Sequence, residues 1–306
     1  MPEALLSIIQ IQMGKRKFLY SLAIFTAFSL LYFASPEIMS LYTAARRMDT
    51  PGRFYQVPIL CFHNLDGLGR YSLRRSDFRA FLERIKSEGL QVISLKTLVE
   101  THKKGRLLDY PSIVITMDDD YTNIVRVAAP LLREYRYPAT LFVYAEAIRQ
   151  EPRMGISWDD LTRLHEEGFD IQNHSYTHTA FHKPAQNESM QSYGYRVHRE
   201  TVLSREALET KIPGLKIYAF AFPFGYFSPF LKERLISLGY TVMLTTDARP
   251  ANLLEPFNGT YDRFTIEDEA HMNSAWYLHA LAAMARKTPE TSLPPAIPQE
   301  KSGEIR

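Results

Sequence analysis

The sequence predicts an α/β fold in which a parallel sheet, wrapped by helices, closes into a (β/α) barrel of about seven strands. Three observations carry this. Short apolar runs alternate with helical-period segments over most of the chain from Val57 to Ile266. Several of these runs are apolar without alternation, as strands buried on both faces are. Finally, His63, Asp118 to Asp120, His174 and Phe224-Gly225 each come directly after a predicted strand, at the end of the sheet where such barrels gather function.

Taken in order, Gln56 to His63 reads as a strand ending in a histidine. Ser76 is placed to cap a helix whose apolar face is Phe78, Phe81, Leu82 and Ile85, with Gly89 ending it. Val92-Ile93 forms a short strand, and Leu95 to His102 a short helix. After Pro111 comes Ser112 to Met117, a β-branched strand running into Asp118-Asp119-Asp120. Ile124, Val127, Ala128, Leu131 and Leu132 have helical spacing within 122–136, and Ala139 to Tyr144 is a strand. Ser157 caps a helix with acidic residues in its first turn, stopped by Gly168. Phe169 to Asn173 is a strand leading into His174-Ser175-Tyr176-Thr177-His178. Met190 to Lys211 is helical, Lys216 to Phe222 a strand, Ser228 to Leu238 a helix and Tyr240 to Thr245 a strand. Arg263 to Ile266 gives a last strand and Glu267 to Arg286 a last helix. Residues 287–306, rich in proline and charge, read as a disordered tail.

The ends and the composition bound the function. Lys15-Arg16-Lys17 precedes an almost uncharged run, Phe18 to Ala34, about long enough to cross a bilayer. Basic residues on its leading side predict a cytoplasmic segment 1–17, an uncleaved transmembrane anchor at 18–34, and a body exported beyond the inner membrane. A cleaved signal peptide is the rival, but Leu31-Tyr32-Phe33-Ala34 lacks small residues at alternate positions. Met13 is a second candidate start. Residues 35–54 read as a linker, and 55–286 as one folded domain. A net charge of +2 gives no argument for nucleic acid. The lone Cys61, between Leu60 and Phe62, excludes an internal disulfide and reads as a buried core residue.

The chemistry lies in two clusters. Three adjacent carboxylates repel one another and lose hydration if the site closes, and a cation would relieve both costs. Two histidines four apart add the imidazoles that, with one carboxylate, suit a zinc-like ion with an open position. Such an ion acidifies a bound water and polarises a carbonyl oxygen, while a neighbouring carboxylate that is not a ligand can accept the water's proton. This points to metal-assisted hydrolysis of an acyl bond.

Thr116-Met117-Asp118-Asp119 and His174-Ser175-Tyr176-Thr177-His178 resemble the T-F-D-D-G and H-[ST]-x-[ST]-H motifs of the polysaccharide deacetylases, carbohydrate esterase family 4 or the NodB-homology domain. Pro130-Leu131-Leu132 through Val143 is similar to the segment between them, and the likeness runs from Val57 to Ile266. The resemblance implies a deformed, NodB-like barrel, with Asp118 as general base and Asp119, His174 and His178 as ligands of a divalent metal. Zinc is the first expectation, with nickel, cobalt or iron as alternatives. Ala221-Phe222-Pro223-Phe224-Gly225 is similar to the third motif in the form found in exported poly-N-acetylglucosamine deacetylases. That likeness implies an oxyanion donor at the Phe224 N–H and a general acid at His63.

Three departures stand out. Asp120 replaces the usual glycine, the arginine that often steadies the aspartate is missing, and the usual Leu-x-His motif has only a distant counterpart in Leu278-His279. The implied function is metal-dependent N-deacetylation of N-acetylglucosamine units in a cell-surface polysaccharide. Hydrolysis of O-acetyl esters or non-sugar amides is one alternative. Another is a binding protein whose site Asp120 has spoiled. Trp158 reads as a core residue and Tyr176 as either a substrate contact or a surface residue. His102, His165, His182, His198 and His271 have no evident partners and read as solvated.

Overall fold

A computed structural model describes residues 53–148, 155–268 and 274–289. The expected anchor at 18–34, the cytoplasmic segment, nearly all of the linker and most of the tail lie outside the described residues. Among the described residues no helix is long and apolar enough to cross a membrane.

The strands and helices follow one another as β1 (Gln56–Val57), β2 (Ile59–Phe62), α1 (Arg75–Ser87), β3 (Gln91–Val92), α2 (Leu95–Lys103) and β4 (Ser112–Asp118). Next is α3, a π turn at Ile124–Ala128 continued by Ala129–Tyr135, then β5 (Thr140–Val143), α4 (Trp158–Glu166) and β6 (Asp170–Asn173). The long helix α5 is built from Met190–His198, a π turn at Arg199–Leu203, and Ser204–Lys211. It is followed by β7 (Ala219–Ala221), α6 (Pro229–Ser237), β8 (Val242–Leu244), β9 (Ala251–Asn252), β10 (Thr260–Tyr261), β11 (Phe264–Thr265) and α7 (Ser274–Ala285).

The main sheet runs β10-β8-β7-β6-β5-β4-β2-β11, with β3 beside the start of β4, and its ladders are parallel. It is a half-barrel of parallel strands with helices outside, in agreement with the expected architecture. No ladder joins β10 to β11 among the described residues. Only Asp262 and Arg263 separate these two edge strands in the chain, so a step of three Cα–Cα links, about 11 Å at most, carries the chain across the seam. The small antiparallel pair β1–β9 lies apart from this sheet.

Side chains alternate along the strands. Leu60, Phe62, Ile113, Ile115, Met117, Leu141 and Val143 join the core beneath the helices, while Ile59, Val114, Phe142, Ala219, Ala221, Val242 and Leu244 form a second core on the other face. Phe62 meets Phe78 and Phe81 edge-on at 5.1 and 5.4 Å, tying β2 to α1; each such pair contributes about 0.5–1.5 kcal/mol beyond area burial. A full capping box at Ser157 and Asp160 starts α4 as expected, and Ser94 caps α2.

Several expectations need correction. Arg74, not Ser76, is the N-cap of α1; Ser76 lies inside the helix and bonds Asp77. The backbone bonds Leu73 N–H to Asn64 O and Gly67 N–H to Leu73 O hold the entry two residues earlier than Ser76 would set it. Strand β7 starts at Ala219, not Lys216, because the Gln172 side-chain oxygen accepts the N–H groups of Tyr218 and Ala219. Helix α3 opens with a π turn where Pro130 cannot donate to the carbonyl four residues back, and the wider turn makes room for its ring. Phe54, assigned to the linker, already pairs with Leu108. The described part of the last helix begins at Ser274. His102 is not a solvated residue: it is buried, with one ring nitrogen 2.8 Å from Tyr261 Oη and the other 2.7 Å from the Glu255 carbonyl.

Candidate active site

A pocket of about 420 Å³ opens at the carboxyl ends of the strands and is lined by His63, Asp118, Asp119, His174, His178 and Phe224, among others. All six residues singled out from the sequence therefore meet in one place. Asp118 is the last residue of β4, His63 follows β2, His174 follows β6 and Phe224 follows β7. Parallel strands joined through helices present their carboxyl ends side by side, so sites far apart in sequence become neighbours.

Asp118 is fully enclosed, and its partner was missed in the sequence. Arg263, from the seam between β10 and β11, donates Nη1 to Oδ1 and Nη2 to Oδ2, both at 2.6 Å. The same guanidinium reaches Thr116 Oγ1 and the Thr245 carbonyl, each at 3.2 Å, and its carbon lies 5.4 Å from the centre of the Phe142 ring. Burial alone would raise the Asp118 pKa. The charge and hydrogen bonds of Arg263, with the neighbouring imidazoles, outweigh it and hold the carboxyl well below the usual range. The supporting arginine absent from the third motif is thus supplied from the link between β10 and β11. Its one signal was its place at the head of the last predicted strand, Arg263 to Ile266.

Asp119 is the opposite case. Its Oδ1 is buried with no hydrogen-bond partner, 3.3 Å from His178 Nε2 and 3.8 Å from His174 Nε2. Burial, and then repulsion from Asp118 and Asp120, push its pKa up to about 7. His174 places Nδ1 2.8 Å from the Ala221 carbonyl, which makes Nδ1 the protonated nitrogen and leaves Nε2 bare toward the carboxylates. Burial pushes its pKa down to about 3, so the ring is neutral at ordinary pH. One ligand atom from each of Asp119, His174 and His178 lies within 4.8 Å of the others. An orphaned carboxylate oxygen facing two imidazoles is a donor set that fits a divalent cation.

His63 faces Asp118 from the other side, a ring nitrogen of His63 and a carboxylate oxygen of Asp118 lying within 4.8 Å. Burial lowers the His63 pKa, against the pull of Asp118, and its Nδ1 has no hydrogen-bond partner. Cys61, as expected, is buried, and burial raises its thiol pKa well above the ordinary value. His279 is exposed and turned to Glu88, outside the pocket lining, which leaves His63 as the histidine opposite the ligand set. Asp120 turns away from Asp119's ligand face: it hydrogen-bonds Tyr144, and its side chain packs against Gly155. The Tyr144 ring in turn lies 5.2 Å from His178.

Asp119, Ser175, His178 and Phe224 all have left-handed backbones, with φ of 73°, 77°, 56° and 60°. Each non-glycine residue so placed costs about 1–3 kcal/mol and persists only where its surroundings enforce it. Phe224 packs edge-on against His178 at 4.8 Å. Gly225 is obligatory beside it, since an added Cβ would come within 2.1 Å of Thr246 Oγ1. Tyr71, Tyr121 and Tyr226 complete an aromatic rim.

Comparison with known proteins agrees with this geometry. Residues 107–243 match the family model described as polysaccharide deacetylase. The chain is 22% identical over 123 residues to the Bacillus subtilis protein YxkH, covering 40% of this chain and 43% of that one. It is 22% identical over 214 residues to the poly-β-1,6-N-acetyl-D-glucosamine N-deacetylase of Escherichia coli K12, covering 59% of this chain and 32% of the relative. It thus spans less than half the length of either relative. Among solved structures, IcaB from Ammonifex degensii superposes with a TM-score of 0.64 at 20% identity, over 78% of this chain and all of that one. A de-N-acetylase from Aggregatibacter actinomycetemcomitans gives 0.62 at 17% identity, over 69% and 95%. These likenesses show a shared fold. Through residues 107–243, a little under half of its length, the chain is similar to the polysaccharide deacetylase family.

Proposed function

We propose that the protein is a hydrolase that removes acetyl groups from N-acetylglucosamine units of a polysaccharide. The observation that carries this reading is the pairing, in one pocket, of an arginine-held carboxylate with an Asp–His–His set whose ligand atoms lie within 4.8 Å of one another. The names of the Escherichia coli and Staphylococcus aureus relatives support the sugar and its β-1,6 linkage.

In this reading Asp119, His174 and His178 hold a divalent cation, zinc first among the candidates. When bound, it supplies Lewis acidity toward water and the acetamide carbonyl. Asp118, kept charged by Arg263, accepts the proton of the attacking water. The N–H of Phe224 donates to the oxygen that becomes negative as the carbonyl carbon turns tetrahedral. The proton that Asp118 accepts replaces the one that His63, neutral at rest, gives to the departing sugar nitrogen as the C–N bond breaks, so that the products are acetate and a free amine. The aromatic rim provides flat apolar walls against which a sugar ring can rest. The basic leader and apolar segment 18–34 support a further proposal, export of the domain behind a membrane anchor; protease access to the domain in intact and opened cells tests it.

The test of activity is acetate release from β-1,6-linked N-acetylglucosamine oligomers, with acetyl esters in parallel. Asp118→Asn should lower release by roughly 10²–10⁴-fold, the usual worth of a positioned base. Release that survives this substitution, or that occurs only from esters, would defeat the proposal.

A further inference from the structure

We infer that Glu200, on the π turn of α5, is the positioning residue of the histidine loop and sets the spacing of His174 and His178. The inference rests on the ligand roles proposed above. Glu200 has no exposed surface, yet it lies outside the pocket lining. Three donors of the loop converge on it: Tyr176 N–H at 3.0 Å and Thr177 N–H at 2.9 Å on Oε2, and Thr177 Oγ1 at 2.8 Å on Oε1. Those two peptide units are the middle two of the four that link the histidines.

The loop needs outside support because both Ser175 and His178 are held with positive φ. Two nearby side chains hydrogen-bond the loop backbone: Asn173 Oδ1, at the end of β6, accepts from Ser175 N–H, and Ser175 Oγ from His178 N–H. Neither reaches the N–H groups of Tyr176 and Thr177, which Glu200 holds; on the other side, the Ser175 and Tyr176 carbonyls accept from the N–H groups of Ala145 and Glu146. Ser204, four residues after Glu200, sits 2.6 Å from both Asn173 Oδ1 and the Ser175 carbonyl. The π turn carries its bond from Ser204 N–H to the Arg199 carbonyl, one residue wider than an α turn. Turns of this type recur at functional sites. Here the wide turn directs one helix segment to both the base and the middle of the loop.

The test compares the metal-free protein with its Glu200→Gln variant by hydrogen exchange at the Tyr176 and Thr177 amides, then measures zinc affinity by competition with a chromophoric chelator. Glu200→Gln should speed exchange at these amides and weaken zinc by roughly 10–100-fold, the range for loss of a group that orients a ligand. Glu209→Gln is the control. Glu209, further along α5, accepts from Ile217 N–H beyond the helix, away from the loop, and its loss should change neither readout. Thr177→Val, which removes only the hydroxyl bond, should move both in the same direction by less, and it carries the test if Glu200→Gln does not fold. Unchanged exchange and zinc affinity in a variant that merely melts earlier would overturn the inference. If the parent protein holds no zinc, the ligand assignment fails, and the exchange data alone then decide whether Glu200 sets the loop.

Discussion

Asp118 and Asp119 are neighbours in the chain, but the two sides of the site treat them oppositely. On the seam side, Asp118 has both oxygens matched by Arg263 and is held ionised. On the histidine side, Asp119 keeps an oxygen with no partner and its pKa rises to about 7. The first carboxylate is balanced by the protein itself, the second is left to be balanced by something bound. A site that needs one acid as a proton acceptor and another as a ligand gains from this division, because the internal guanidinium competes for the first and leaves the second open.

The largest expected effect comes from breaking the balanced side. Arg263→Met leaves Asp118 buried without its cation and should cost about 3–5 kcal/mol in urea unfolding. The double variant Arg263→Met with Asp118→Leu should recover much of that loss, since removing a buried pair is far cheaper than breaking one. A loss below about 1 kcal/mol in the single variant would mean that the pair does not govern Asp118.

The unbalanced side should show itself through pH. A carboxyl raised from 3.8 to about 7 binds its proton more tightly folded than unfolded. Its contribution to stability therefore falls as pH rises from about 4 to 7. His174, lowered from 6.5 to about 3, works the other way: its folded state is neutral where the unfolded one is charged, and stability is lost as pH drops below 6.5. The two slopes partly cancel in the parent protein, so the informative quantity is a difference. In the metal-free state, Asp119→Asn should gain stability relative to the parent, and the gain should grow from pH 4 to 7, with roughly 4 kcal/mol as an upper bound. A gap that stays flat across that window would show that Asp119 is not strained. Zinc at about 100 times its dissociation constant should narrow that gap, stabilising the parent by about 2.7 kcal/mol and the variant by much less.

A smaller change sharpens the same comparison. Asp120→Asn keeps the shape beside Tyr144 and Gly155 but removes one of the charges that raise Asp119. Zinc affinity should fall by less than about tenfold, consistent with a partly screened charge that is not itself a ligand. A loss as large as that of Asp119→Asn would make Asp120 a ligand.

Much of the fold was legible because a parallel α/β sheet repeats its pattern locally. The run Ser112 to Met117 reads as a buried strand from six residues alone, and Ser157 with Asp160 announces a helix start. The edges were poorly legible. Strands β9, β10 and β11 are two residues long, and β9 and β11 pair with β1 and β2 at the start of the domain, far away in the chain. His102 was misread for the same reason, since both of its bonds reach residues more than 150 positions away.

Sequence by itself determined which residues would meet. His63, Asp118, Asp119, His174, His178 and Phe224 each follow an apolar run, and the geometry of parallel strands gathers such positions at one end of the sheet. Tertiary structure alone decided how those residues are supported. Arg263 and Glu200 lie in other elements, 145 residues from Asp118 and 24 from Tyr176, and nothing in their local sequence names the groups they hold. The physical reason is that a strand's character follows from its own side chains, whereas a buried charge is settled only by whichever opposite charge or donors the completed fold brings within about 3 Å of it.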